Sequence, residues 1–182
     1  MRVLNISLTT GPWKSITMWN KVLFILLCLI NTKAVAQRVD NQAYELMLSS
    51  MLSHEVNEIT VDEAKAMKRA VYVDSRALNE FNVSHLRDAI WIGYEDPKLV
   101  KLNDIEKSRP LIIYCSVGYR SEKIVERLQK EGFESVYNLY GGIFEWVNQG
   151  NDVVDPEGKI TQKVHAYNRL WGIWLQSGDK VY

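Results

Sequence analysis

A cysteine and an arginine enclose a short loop in the middle of the 182-residue chain, in the stretch "IIYCSVGYRSEK". Cys115 ends an apolar run, and Arg120 opens the pattern of an amphipathic helix. The unpaired N–H groups at a helix N-terminus, together with a nearby cation, stabilise a negatively charged sulfur. The spacing therefore predicts a loop that holds a thiolate, a persulfide or a bound oxyanion. The alternative is an ordinary strand-to-helix turn with a buried thiol.

The residues between these two decide what the loop can surround. Gly118 can adopt a positive φ, which lets the backbone curl around the sulfur. We therefore expect Cys115 to be a reactive thiol whose anionic form this loop stabilises. We expect the substrate or anion to lie against the loop of Ser116, Val117, Gly118, Tyr119 and Arg120.

Residues 1–36 have the composition of a secretory leader. Lys21 precedes the apolar run 22–30, which is too short to span a membrane, and Ala34-Val35-Ala36 is a small-x-small cleavage signal. The segment that starts at Met18 is already a complete leader, so we take Met18 as the natural start and expect cleavage after Ala36. The expected location is outside the cytoplasm, either periplasmic or secreted, with no membrane span after cleavage.

Loss of the leader would leave a single cysteine. Cys28 departs with the leader, so Cys115 has no intramolecular disulfide partner and is a candidate reactive thiol. Two alternatives remain for the segment 1–36, namely a buried core helix and an uncleaved anchor. A lipoprotein attached through Cys28 is disfavoured because Leu27 stands where a small residue is required.

The charge balance argues against a nucleic-acid partner. The chain has 22 basic and 22 acidic residues, and the leader contains four of the basic ones and no acid. The remaining 18 basic and 22 acidic residues give a net charge near −4, without a cluster of lysine or arginine. His54, His85 and His165 lack the spacing of metal ligands, so neither a metal site nor a cofactor is expected.

Short apolar runs typical of β-strands alternate with helical patterns in the central part of the chain. The expected strands cover residues 70–74, 89–93, 110–114 and 135–139. Four helices are expected in the same region. The first follows a capping-box pattern at Thr60, the second spans 98–105, the third begins after Arg120 and the fourth begins after Gly142. The alternation predicts an α/β fold with a parallel sheet covered by helices on both faces. Ligands of such sheets bind beyond the carboxyl ends of the strands, where Cys115 is located.

Two segments flank this region. Residues 41–53 carry an apolar stripe at helical spacing, so residues 37–54 are expected to form an N-terminal helix. Residues 151–182 are expected to be a C-terminal extension, in which 163–178 predicts an aromatic helix that covers apolar surface. The alternative role for that helix is a lid or a protein-docking surface near Cys115.

Residues 55–150 resemble the rhodanese-domain sulfurtransferases. The resemblance is carried by four ordered blocks, which are "VYVDSRALNEF" (71–81), "SHLRDAIWI" (84–92), "CSVGYRS" (115–121) and "VYNLYGGIFEW" (136–146). It implies a five-stranded parallel α/β domain and a double displacement, in which Cys115 takes the outer sulfur of a donor and becomes a persulfide. The implied partners are a small sulfur-containing anion, whose charge Arg120 would hold, and a thiol, cyanide or protein acceptor.

Other functions remain open. The loop could serve a non-catalytic or redox-sensing binding module, in which Cys115 forms mixed disulfides. Cysteine phosphatases and arsenate reductases use Cys-x5-Arg, and the loop from Cys115 to Arg120 is one residue shorter. Ser116 and Val117 add no positive charge after the cysteine, which argues against thiosulfate as the physiological donor.

Asp74, Arg76 and Glu80 follow the first predicted strand and could be read as an acid/base set. We interpret them instead as a structural ion-pair network, because buried acids require partners.

Overall fold

The computed structural model describes residues 37–182, so the expected leader over 1–36 lies outside the described part of the chain. Within residues 37–182, no helix is both long enough and apolar enough to cross a membrane. The helices are α1 (Gln42–Met51), α2 (Val61–Ala66), α3 (Leu78–Val83), α4 (Tyr119–Lys130) and α5 (Gly142–Asn148), with 3-10 turns at Leu99–Leu102 and Trp171–Trp174. The main strands are β1 (Glu58–Ile59), β2 (Val71–Asp74), β3 (Ile90–Trp91), β4 (Leu111–Tyr114) and β5 (Val136–Leu139).

The five strands form one parallel sheet in the order β1-β5-β4-β2-β3. The alternating pattern predicted the parallel sheet, and the resemblance implied its five strands. Strand β4 lies at the centre, and all four of its residues are buried. Its side chains alternate between the two faces, because successive residues of a strand point to opposite sides. The strand β1 was not anticipated, because two residues are too few to show a pattern.

Helices cover both faces of the sheet, as predicted. Leu111 and Ile113 of β4 join a cluster with Ile124, Val125 and Leu128 of α4. Ile112 and Tyr114 point the other way, into a larger cluster that contains apolar residues of α1, α2 and α5. Helix α2 begins at the predicted capping box, in which Thr60 accepts from the Glu63 N–H and Glu63 accepts from the Thr60 N–H. The predicted helix over 98–105 is a short 3-10 turn.

The N-terminal helix packs directly on the central domain. Tyr44 is fully buried and donates its hydroxyl to the Gly141 carbonyl at 2.8 Å. After the helix ends, Glu122 of α4 accepts hydrogen bonds from the Ser53 and His54 N–H groups. The N-terminal segment that precedes the sheet therefore belongs to the same core as the sheet.

The predicted aromatic helix over 163–178 is wrong. This segment contains strand β8 (Lys163–His165) and the turn Trp171–Trp174, and β8 pairs with β9 (Asp179–Val181). A second small pair joins β6 (Val153–Val154) to β7 (Ile160–Thr161). Positive φ angles at Tyr167 and Gly178 interrupt any continuous helix.

The extension contributes to the core although it is not helical. Val164, Ala166 and Leu175 are fully buried in the cluster that contains α1 and α5. Trp174 stacks on Tyr44 at a ring-centroid distance of 5.4 Å, so the N-terminal and C-terminal segments touch each other. Part of the apolar pattern in the tail therefore reflects burial, although Tyr167 and Leu170 of the same segment are exposed.

Replacing Leu175 by alanine is expected to lower the free energy of unfolding by about 2–3 kcal/mol, because the change leaves a cavity beside the core. Leu170→Ala is the matched control, since Leu170 is 72% exposed and its truncation removes almost no buried surface. Urea unfolding of both variants measures the difference. Equal stabilities for the two variants would contradict the burial of the extension.

Candidate active site

The loop after β4 turns sharply around the cysteine sulfur. Gly118 has φ +124° and donates its N–H to the Cys115 sulfur at 3.1 Å. Among the described residues this is the one amide of 116–120 that bonds the sulfur, so the wider ring of amides expected from the sequence is reduced to a single donor. Helix α4 begins immediately afterwards, at Tyr119.

The carbonyl groups of the loop are held by the first turn of α5. Ile143 and Phe144 donate their N–H groups to the carbonyls of Cys115 and Ser116, at 2.9 and 3.1 Å. Gly142, at φ +57°, lies so close that a Cβ placed on it would be 2.5 Å from the Cys115 carbonyl oxygen. The Gly141-Gly142 pair therefore permits the approach of two backbone segments that fixes the orientation of the loop.

A buried polar cluster supports the loop from beneath. Asn138, at the end of β5, donates to the Gly118 carbonyl at 3.1 Å and accepts from the Ser121 hydroxyl at 2.7 Å. Asn138 and Ser121 are fully buried. The sequence analysis missed this role of both residues, because they are distant along the chain and meet only when β4 and β5 pair.

Arg120 forms a two-pronged ion pair with Glu80. Its two terminal nitrogens lie 2.6 and 2.8 Å from the Glu80 carboxylate oxygens, and one also donates to the Ser116 hydroxyl at 3.0 Å. Burial alone would raise the pKa of Glu80, but the hydrogen bond and charge of Arg120 outweigh it and hold that pKa below its ordinary value. Burial would lower the pKa of Arg120, whereas Glu80 and the charge of Cys115 raise it above its ordinary value.

This pairing corrects the network expected among three residues. Asp74 and Arg76 are fully buried and form a bidentate pair, with an Nη–Oδ distance of 2.7 Å. Arg76 also donates to the Ser84 carbonyl. Glu80 does not complete this pair but reaches the active-site loop through Arg120 and Ser116. The reason is that α3 carries Glu80 towards the carboxyl end of β4.

The loop lines a cavity of about 330 Å³. Cys115 is itself only 1% exposed, so the sulfur is more enclosed than a surface thiol, although it lines this cavity. The other lining residues are Met51, Ser116, Val117, Tyr119, Arg120, Tyr167 and Trp171. The structure thus brings together every loop residue selected from the sequence except Gly118, which lies behind the sulfur.

Three of the cavity residues come from outside the central domain. Met51 ends α1, and Tyr167 and Trp171 belong to the C-terminal extension. Placing the tail near Cys115 was the alternative in the sequence analysis, but Met51 was assigned only to packing. The apolar stripe of α1 does not distinguish a side chain that lines a cavity from one that packs in the core.

The histidines have other partners. The His85 ring nitrogen lies 3.0 Å from the Phe81 carbonyl oxygen, and its ring stacks on Phe81. Within residues 37–182, no group of three or more metal-binding side chains is gathered at one place.

The family profile described as the rhodanese-like domain matches residues 60–149, which include the loop, Glu80 and Gly142. The chain carries a rhodanese-like domain. Among its relatives, the tRNA uridine(34) hydroxylase of Hamiltonella defensa subsp. Acyrthosiphon pisum is 28% identical over 131 residues, which are 68% of this chain and 36% of that protein. The enzyme of the same name from Cytophaga hutchinsonii is 36% identical over 105 residues, 53% of this chain and 33% of that protein.

The rhodanese-like chain thus spans about a third of the length of these two curated relatives. Among solved structures, the thiosulfate sulfurtransferase of Pseudomonas aeruginosa superposes with a TM-score of 0.51 and 19% identity. That alignment covers 64% of this chain and 22% of that one. At this identity the likeness is one of fold.

Proposed function

We propose that this protein is a sulfurtransferase that carries sulfane sulfur on Cys115 as a persulfide. One observation carries the proposal. The Cys115 sulfur lines a cavity at the carboxyl end of the central strand and accepts the Gly118 N–H, and the cationic side chain of Arg120 follows five residues after Cys115. An amide donor and a nearby guanidinium stabilise an anionic sulfur, which is the reactive form in both halves of the reaction.

The proposed reaction consists of two displacements. In the first, the Cys115 thiolate attacks the outer sulfur of the donor, the donor's S–S bond breaks, and the remainder of the donor leaves with the electron pair. In the second, the thiolate of an acceptor attacks the outer sulfur of the Cys115 persulfide and regenerates the Cys115 thiolate. The Gly118 N–H and Arg120 favour the anionic sulfur at each stage.

Treatment of the purified protein with thiosulfate, and separately with an organic persulfide, is expected to add the mass of one sulfur atom to the intact chain. Cys115→Ser should lose this adduct completely, because serine cannot form a persulfide. Addition of a small thiol should remove the sulfur from the wild-type protein. Absence of an adduct from both donors, in a protein shown to be folded, would overturn the proposal.

The names of the relatives raise a second candidate, hydroxylation of a tRNA uridine. The observation that favours it is the sequence similarity to proteins of that name over 53–68% of this chain. Against it stands the excess of acidic residues after position 36, which is unfavourable for binding a polyanion. Co-purification of RNA with the protein, combined with failure of the sulfur adduct, would favour the second candidate.

Experiments on the same purified protein distinguish two further alternatives from a sulfurtransferase. A redox-sensing module would give mixed disulfides with small thiols but no persulfide. A phosphatase would hydrolyse a generic aryl phosphate, for which the Cys-x4-Arg loop and the pairing of Arg120 with Glu80 are poorly suited.

A further inference from the structure

The cavity above Cys115 has walls that are almost entirely apolar or aromatic. Met51 contributes from α1, and Tyr167 and Trp171 contribute from the C-terminal extension. All three lie outside residues 60–149, the part that matches the rhodanese-like profile. Part of the cavity wall therefore comes from segments outside the residues that match the profile.

The charge in the cavity is already balanced. Arg120 is its one charged lining side chain among the described residues, and both of its terminal nitrogens bond the Glu80 carboxylate. The Cys115 thiolate adds a further negative charge. A dianion such as thiosulfate would bring two more negative charges to a site with no surplus positive charge.

The space suits a ring-sized group. A cavity of about 330 Å³ lies at the small end of the range for small-molecule sites. The Tyr167 ring is 48% exposed and lines the cavity as an aromatic surface, with the Arg120 guanidinium over one face at 5.1 Å from the ring centroid. Offset stacking on such a surface favours a planar apolar group.

We propose that this cavity binds the carbon group of an organic sulfane-sulfur donor, a compound with an apolar and preferably aromatic group and at most one negative charge. The inference rests on the sulfurtransferase function proposed above and names its substrate class. With benzenethiosulfonate as the donor, the Cys115 thiolate attacks the outer sulfur and the bond between the two sulfurs breaks. Benzenesulfinate then leaves with the electron pair, so the step needs no oxidant or reductant.

Three donors, each of which transfers a sulfane sulfur, test the inference. Benzenethiosulfonate has one charge and a ring, methanethiosulfonate has the same charge and no ring, and thiosulfate has two charges and no carbon. Rates of Cys115 persulfide formation are measured by intact mass and divided by the rates with free cysteine, which removes differences in intrinsic reactivity. We expect benzenethiosulfonate to exceed methanethiosulfonate by about 10- to 100-fold in kcat/KM, from burial of the ring. Thiosulfate should be the poorest donor.

Variants of the wall locate the effect. Trp171→Ala should bring the ratio between the benzene and methane donors close to one, and Trp171→Phe should retain most of it because an aromatic wall remains. Leu170→Ala, at a neighbouring residue that is 72% exposed, should leave the ratio unchanged. The thermal unfolding temperature of each variant shows whether a lost ratio reflects loss of folding, and the ratio itself is insensitive to the fraction folded.

The outcomes separate the two proposals. Equal normalised rates for all three donors, or thiosulfate as the fastest donor, would overturn the substrate class while leaving the persulfide mechanism in place. A ring preference that survives Trp171→Ala unchanged would also overturn it. Absence of a persulfide from every donor would overturn the sulfurtransferase function itself.

Discussion

Gly142→Ala is expected to lower the free energy of unfolding by about 2–5 kcal/mol and to prevent sulfur loading of Cys115. The new Cβ would lie 2.5 and 2.6 Å from the backbone oxygens of Cys115 and Ser116, which cannot move aside as a flexible side chain could. Overpacking of this kind costs about 1–3 kcal/mol, and the left-handed backbone at φ +57° costs an alanine about 1–2 kcal/mol more. The active-site loop must shift to relieve the overlap, so the hydrogen bond to the sulfur is lost with it.

Gly150→Ala separates the cost of overpacking from the cost of the left-handed backbone. Gly150 has φ +74°, but nothing lies within 4 Å of a Cβ placed there. This control should cost only about 1–2 kcal/mol and should keep full sulfur loading. Urea unfolding and intact-mass measurements on both variants make the comparison. Equal destabilisation by the two substitutions would mean that the contact between α5 and the loop does not constrain the site.

Glu80→Gln is expected to lower the free energy of unfolding by about 3 kcal/mol at neutral pH, because it leaves the partly buried Arg120 without its carboxylate. It should also release positive charge into the cavity, so the relative rate with thiosulfate should rise. Glu126→Gln is the control, since it removes a pair with Lys123 that is more exposed than the Glu80–Arg120 pair and should cost less than about 1 kcal/mol. An unchanged preference among donors would show that Glu80 does not set the charge of the site.

The loss of stability caused by Glu80→Gln is expected to depend on pH. Because Arg120 holds the pKa of Glu80 below its ordinary value of 4.5, the folded state binds that proton less readily than the unfolded chain. The stabilisation is then complete above about pH 4.5 and is lost as the pH falls through the lower pKa of the folded state. The stability difference between wild type and Glu80→Gln should therefore be constant near neutrality and shrink on acidification below that value. A difference that grows in acid would contradict the assigned shift.

Much of the fold could be predicted because its signals are local. The apolar run of β4 and the capping box at Thr60 each depend on a few adjacent residues, and the structure confirms both elements. The Cys115 to Arg120 loop was recognisable for the same reason. Its spacing between a strand and a helix fixes where the sulfur must lie.

The remaining features depend on contacts between distant residues. The apolar pattern in the tail indicated the burial of Val164 and Leu175, but Leu170 is exposed, and positive φ at Tyr167 ends any helix. Glu80 was assigned to Asp74 and Arg76, its neighbours in sequence, although its partner Arg120 is 40 residues away. No local pattern distinguishes a carboxylate that pairs nearby from one that pairs across the sheet.

The Cys115 loop and part of the cavity wall come from different parts of the chain. This limits what sequence similarity can reveal about the ligand. Cys115 and its loop lie inside residues 60–149, whereas Met51, Tyr167 and Trp171 of the cavity wall lie outside them. If these walls bind the donor as proposed, similarity to the profile over residues 60–149 identifies the loop without identifying the donor. Excising residues 60–149 for biochemical work would therefore remove three of the residues that line the cavity above Cys115, together with core residues of both flanking segments.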